Sequence, residues 1–269
     1  MPTLRIIQTY GMHLLKDGFP FKDRLPLSED LPKLPEPQAR LLLYSSQVAM
    51  ITKLADSKKW TWCEVRPDLI IGFVPNNNPH CLPQILGIYL SLYAHVEGPG
   101  SKVPFPGSMG AFTAKFVPAS QDIIAKFCIF ASLRPDLAGR GSAFNIGDRA
   151  EPTSWSSIWP IICSIFGLEG IEPRQNTLPT SVYIEKHRQH WNRIVEERHL
   201  RSGFVDNKLA NPAIFSFMTG LMDFDRQCSL AKARSIGFTV EIDEKDAWST
   251  VFQRFRDARV IPCNRAPDI

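Results

Sequence analysis

A chain of 269 residues, 44% apolar and 22% charged, can bury a sizeable core as one α/β domain or two smaller ones. Its net charge is only +4, and the basic stretch from Lys186 to Arg201 is interleaved with Glu196 and Glu197, a solvated-helix pattern that speaks against a nucleic-acid partner. Six cysteines without a Cys-x-x-Cys pair, no basic-then-apolar leader, and apolar stretches (Leu82 to His95, Ile158 to Leu168) too short to span a bilayer predict a soluble, cytoplasmic protein with free thiols and no membrane partner.

Arg5 to Thr9 forms a short apolar run, followed by a Pro-rich loop from Phe19 through Pro37. Helical spacing then runs from Ala39 to Ala55, with Leu42, Val48, Ile51 and Leu54 on the apolar side. A strand over Thr61 to Pro67 leads to a loop over Gly72 to Pro79, and a helix covers Leu82 to His95 before Gly98-Pro99-Gly100. Val103 to Gly107 reads as an extended loop and Ala114 to Pro118 as a short strand. Ser120 is the expected N-cap of a helix through Leu133. Ala143 to Asp148 reads as a strand ending in a polar turn, and Trp155 to Phe166 as a helix. Ser181 to Leu200, Asn211 to Asp223 and Asp243 to Asp257 read as mainly helical. A composition shift over Glu169 to Thr180 divides a mixed α/β part (1–168) from a helical cap (169–269).

The segment Val65 to Pro75, Val-Arg-Pro-Asp-Leu-Ile-Ile-Gly-Phe-Val-Pro, is the most informative. It reads as a strand of a mostly parallel sheet giving way to a loop, and the C-terminal ends of such strands are where open α/β sheets bind ligands. Asn76, Asn77 and Asn78 follow in that loop; three amides there either bind a polar ligand or make the turn before Pro79, and both readings stand.

Gln8-Thr9 with His13, Arg66-Pro67-x-x-Ile70-x-Gly72-Phe73-x-Pro75, Phe105-Pro106-Gly107, Ser120-x-Asp122 and Phe144-Asn145-Ile146-Gly147-Asp148 before Trp155 occur in that order. Together they resemble the progesterone 5β-reductase and iridoid synthase-like branch of the extended short-chain dehydrogenases, over about residue 5 to Pro262. The resemblance implies a Rossmann-like α/β sheet, shortened on its N-terminal side, with a mostly helical C-terminal substrate cap. It also implies NADPH-dependent reduction of the C=C bond of an enone, with a small-molecule substrate and, in fungal relatives, a place in secondary metabolism. Gln8, Thr9, Pro67, Ile70 and Val74 match cofactor-facing positions, and Asn76 and Asn77 lie where substrate would approach.

Two departures accompany the resemblance. No Gly-x-Gly-x-x-Gly occurs in the sequence, and Gly139-Arg140-Gly141 precedes a strand, so it reads as a turn. The family's segment carrying that glycine-rich turn would precede Arg5. Without it, the Arg5 to Thr9 strand is expected to be covered by a second copy or by a separate N-terminal half. In addition, the family's catalytic lysine is matched by Met12, and the family's first tyrosine by Leu43. Tyr44 is then either a proton donor and oxyanion partner or a partly buried helix tyrosine. His13, beside Met12, offers an alternative acid or fills space in its loop. His187 and His190 have a metal-compatible spacing, but no third ligand is evident and no metal is expected. Asp148 is expected to cap the turn that follows it. The leading expectation is therefore an enone reductase impaired in cofactor binding. The alternatives are a cofactor-independent isomerase or cyclase, or a non-catalytic binding subunit reusing the same pocket.

Overall fold

The computed structural model describes residues 22–32, 43–75, 81–203, 205, 219–220 and 222–263. The predicted strand at Arg5 to Thr9, and Gln8, Thr9, Met12, His13, Asn76, Asn77 and Asn78, lie outside the described residues. After a 3₁₀ turn at Lys22–Arg24 come α1 (Leu43–Ala55), β1 (Cys63–Pro67), β2 (Ile70–Ile71) and α2 (Leu82–Glu97). Then follow β3 (Lys102–Pro104), α3 (Met109–Thr113), β4 (Ala119–Ser120), α4 (Gln121–Leu133), α5 (Pro135–Ala138) and β5 (Ser142–Ile146). The remainder is α6 (Trp155–Ser164), β6 (Glu169–Ile171), α7 (Thr180–Lys186), α8 (Arg188–Glu197), α9 (Ala231–Ser235) and α10 (Glu244–Asp257). The chain divides into two compact units. One comprises Met1–Ile70, Lys115–Thr153 and Asp225–Ile242; the other comprises Ile71–Ala114, Ser154–Phe224 and Asp243–Ile269.

The first unit is organised by a parallel pair. β1 and β5 run side by side in a register that sets Cys63 opposite Ser142 and Pro67 opposite Ile146. A parallel pair requires a crossover, and helices supply its apolar cover. α4 provides that cover: Ile123, Phe127 and Ala131 pack with Val65, Phe144 and Ile146 in one buried cluster. Their spacing of four places all three on one helix face. Ser120 caps α4 as expected, its Oγ accepting from Ile123 N at 3.2 Å. The cap is itself held: Asp148 Oδ1 accepts from Ser120 N at 2.9 Å and from Ser120 Oγ at 2.6 Å. Asp148 therefore does not simply cap the turn after it, as expected from its local sequence. It braces a helix start 28 residues earlier, because the end of β5 lies against that start.

Gly147, between β5 and Asp148, explains part of its motif. A Cβ there would stand 2.2 Å from Val117 Cγ1 and 3.2 Å from Pro118 O. The expected strand over Ala114 to Pro118 is instead extended chain with a single antiparallel bridge between Phe116 and Thr153, and the paired strand is the shorter β4. The helix from Ala39 onward is described from Leu43. Its spacing was expected to bury Leu54, yet Leu54 and Met50 are 58% and 64% exposed.

The second unit is mostly helical. α2 is buried continuously from Leu82 to Leu92, as suits a helix apolar on every side. β3 pairs in parallel with β6, so the expected Val103 to Gly107 loop begins as a strand. Trp159 on α6 donates its Nε1 proton to Val103 O at 3.0 Å. Phe105 packs on Trp155 and Trp159, each with ring centroids 5.5 Å away, and Trp248 and Phe252 of α10 continue the aromatic core. The helical region expected over Ser181 to Leu200 breaks at His187, so that α7 buries Tyr183 while α8 buries Trp191 and Ile194. Among the described residues no helix is long and apolar enough to cross a membrane.

Gly147→Ala should cost about 1–3 kcal/mol, since the stiff, branched Val117 cannot move aside cheaply. A lowered chemical-denaturation midpoint would register that loss; an unchanged midpoint would show that the Val117 contact yields freely.

Candidate functional site

The C-terminal end of β1 is where the sequence placed the site. Pro67 closes the strand fully buried, Ile70 is half-buried, and both belong to the first unit. Glu64 and Arg66, two residues apart on β1, form an ion pair at 2.7 Å with little solvent access. Behind Pro67 stands Asp68, whose Oδ2 accepts from Arg226 Nε at 3.1 Å; both side chains are essentially inaccessible. Arg226 also lies over the Phe116 ring, 4.6 Å from its centroid. Burial pulls the Arg226 guanidinium below its ordinary value while Asp68 beside it pushes the other way.

Across from β1, Asn145 is fully buried on β5. Its Nδ2 donates to Leu27 O at 2.9 Å and to Ser229 O at 3.3 Å, and its backbone N donates to Glu29 Oε1 at 2.6 Å. Loss of water raises the Glu29 carboxyl above the usual range, while that backbone hydrogen bond and the charges of Lys232 and Arg66 oppose the rise. The small cavity beside Asn145, lined also by Gly147, Leu230 and Phe238, measures about 10 Å³. That is room for one water and not for a ligand.

In the second unit, Val74 is half-buried in the loop after Gly72. The loop is fastened at both described ends. Cys81 donates Sγ–H to Gly72 O at 3.4 Å, and Arg201 Nη1 donates to Pro75 O at 3.3 Å. Burial pushes the Cys81 thiol up to about 11, so it serves as a protonated donor rather than a nucleophile at neutral pH. Phe105-Pro106-Gly107 has a packing basis too: a Cβ on Gly107 would meet Thr219 O at 2.3 Å, and Ser108 N donates to that same oxygen at 2.9 Å.

Tyr44 lies half-buried in the first turn of α1, in the first unit. His190 lies between two imidazoles, with ring centroids 5.9 Å from His187 and 5.8 Å from His95. Among the described residues, no group of three or more His, Cys, Asp or Glu side chains is arranged to hold a metal ion. Gly139 ends α5, and Gly141 adopts a left-handed φ of 73° beneath the Trp62 ring, a turn in agreement with the sequence reading. Four of the six cysteines are buried, and all five of Cys63, Cys81, Cys128, Cys163 and Cys228 have thiols raised by burial.

Sequence reasoning missed Glu29, Asp68 and Arg226. An acid inside the apolar run after Pro67 was a visible signal for Asp68, but its partner lies 158 residues away and no local pattern announces it.

The PRISE-like Rossmann-fold domain model matches residues 4–262. The chain belongs to that family. It is 30% identical over 246 residues to the short chain dehydrogenase sirQ of Leptosphaeria maculans and 32% identical over 265 residues to sirR of the same organism. Those matches cover 88% and 91% of this chain but only 60% and 64% of the relatives, so the chain spans less than two thirds of their length. It is also 25% identical over 240 residues to the 3-oxo-Delta(4,5)-steroid 5-beta-reductase of Arabidopsis thaliana, covering 88% of this chain and 58% of that protein. Among solved structures, the UDP-glucose 4-epimerase of Bifidobacterium longum in complex with NAD+ and UDP has a TM-score of 0.51 at 13% identity, with 96% of this chain and 64% of that chain covered. This likeness confirms the Rossmann-type fold.

Glu29→Gln keeps an oxygen for Asn145 N but removes the buried charge. Because the folded carboxyl is raised above 4.5, its ionisation opposes folding at neutral pH, and that penalty disappears as pH falls through the folded value toward 4.5. The variant should be more stable than wild type at pH 7, with the difference closing in that window. Denaturation midpoints at a series of pH values will measure it; a variant less stable at pH 7 would mean that Arg66 and Lys232 outweigh burial.

Proposed function

We propose that this chain carries the nicotinamide and substrate wall of an NADPH-dependent enone reductase, with weakened cofactor binding. The observation that supports this most is the family match over residues 4–262, combined with a buried Pro67 and half-buried Ile70 at the C-terminal end of a parallel strand. A rigid apolar edge there suits the nicotinamide end of the cofactor. The 269 residues themselves supply no glycine-rich helix opening for the diphosphate end. When bound, NADPH would supply the hydride for C=C reduction. In this reading Pro67, Ile70 and Val74, with Gln8 and Thr9, face the cofactor; Asn76 and Asn77 donate to polar groups of the substrate. Tyr44, or His13 beside Met12, holds a hydrogen bond to the oxygen where enolate charge develops.

The presence of Met12 at the family's lysine position favours a second reading. A thioether cannot stabilise an oxyanion by charge, so a pocket of this kind would suit a cofactor-independent isomerase or cyclase that shapes a reactive intermediate, or a non-catalytic subunit that binds it.

Titration of the purified chain with NADPH, followed by nucleotide fluorescence, separates these readings. Losing one or two charge-assisted phosphate contacts, at about 1.5–3 kcal/mol each, predicts binding weaker by about 10–10⁴-fold than in a relative with the glycine-rich turn. A folded protein that binds enone but no NADPH at all would instead favour the cofactor-independent reading. Met12→Lys, assayed for enone reduction at saturating NADPH, should raise turnover by about 10²–10³-fold by restoring the missing charge. No gain from the lysine would count against the reductase register that places residue 12 at the reacting oxygen.

A further inference from the structure

The residues between Pro67 and Ile70 are held from behind by opposite charges that do not reach water. Side-chain exposure is 0% for Asp68 and 1% for Arg226, and Nε meets Oδ2 at 3.1 Å. Arg226 is fixed in turn. Its guanidinium rests on the fully buried Phe116 ring, its backbone N donates to Lys115 O at 2.8 Å, and Lys115 N donates to Asp225 Oδ1 at 2.8 Å. On the other side of Asp68, Leu69 O accepts from Ala119 N at 2.8 Å. Two separate chain segments, Lys115 to Ala119 and Asp225 to Arg226, thus converge on the exit of β1, within one compact unit.

Stability alone is a poor explanation of such a pair. Desolvating two charges is expensive, and well-packed apolar residues at the same places are commonly as stabilising or more so. A planar guanidinium whose Nε meets a carboxylate oxygen and whose face rests on a ring offers instead a defined direction and distance. Apolar contacts tolerate sliding more readily than a directed ion pair does.

We propose that Asp68 and Arg226 are positioning residues, which set where the backbone of Pro67 to Ile70 stands and thereby the shape of the ligand-facing wall. The functional half of this inference rests on the reading that Pro67 and Ile70 line the nicotinamide; the positioning itself is a property of the unliganded chain.

Three proteins test it: wild type, the apolar double variant Asp68→Leu/Arg226→Met, and Arg226→Lys. Each is measured for its denaturation midpoint, for amide exchange of Arg66 and of Asp68 to Ile70 without ligand, and for NADPH affinity. In the double variant the midpoint should stay near that of wild type, while those amides exchange at least about 10-fold faster and NADPH affinity falls at least about 10-fold. A double variant with wild-type midpoint and wild-type exchange overturns the proposal, since the pair would then merely fill space. Should the double variant not fold, Arg226→Lys decides on the same readout, because it keeps the charge but loses the planar fork. Faster exchange at a near-native midpoint supports positioning, and unchanged exchange overturns it. Absence of NADPH binding by the wild type defeats the reductase reading and leaves the exchange comparison to judge the positioning role.

Discussion

Five residues of parallel pairing between β1 and β5 are the constraint on which the first unit depends. Parallel strands cannot be joined by a tight turn, so the chain must leave Pro67 and return much later to Ser142. Both strands end on the same side, which brings Pro67 opposite Ile146 and places Arg66 opposite Asn145. Along the ladder Glu64, Arg66 and Asn145 alternate with Cys63, Val65, Phe144 and Ile146, which are apolar and buried. Ladder geometry, rather than any single side chain, thus creates a place where polar chemistry adjoins a rigid apolar edge.

Placing polar groups at that end has consequences that the rest of the unit meets. Asn145 needs acceptors, and Leu27 and Ser229 supply carbonyls from two distant segments. Leu27 can do so because it is itself clamped, its N donating to Gln227 O and its O accepting from Ser229 N, each at 2.8 Å. Asp68 needs a cation and draws Arg226 from the strand-like return of that same 225–229 segment. A single returning stretch therefore satisfies both strands. Unpartnered, either buried group would cost more than its hydrogen bond gives, so the stretch is as much a part of the strand ends as the strands are.

Elements governed by local rules were legible in the sequence. Ser120 as a cap, the helix over Asp243 to Asp257 and the apolar continuity of α2 are consequences of neighbours within a few residues. β3 and β6 were not legible: three residues each, one centred on Gly170, they exist because α6 presses them together through Trp159. Leu54 shows the opposite failure, since periodicity says which face of α1 is apolar but not whether anything packs on it. At the end of β1, Pro67 and Ile70 were singled out through the family pattern, while Glu29 and Arg226 act through partners more than a hundred positions away. No window of sequence contains such a pair.

The motif residues fall into two physical kinds, and the distinction bears on what this chain retains. Gly107 and Gly147 are required by backbone and side-chain approach at about 2 Å, and Asp148 by the Ser120 cap; all three answer to the fold. Each is held by contacts of the fold, whatever the chemistry. Met12, where the resemblance to the family implies a lysine, concerns only the ligand. It follows that the match over residues 4–262 speaks strongly for the scaffold, and that the reaction must be argued from Pro67, Ile70 and the groups that hold them.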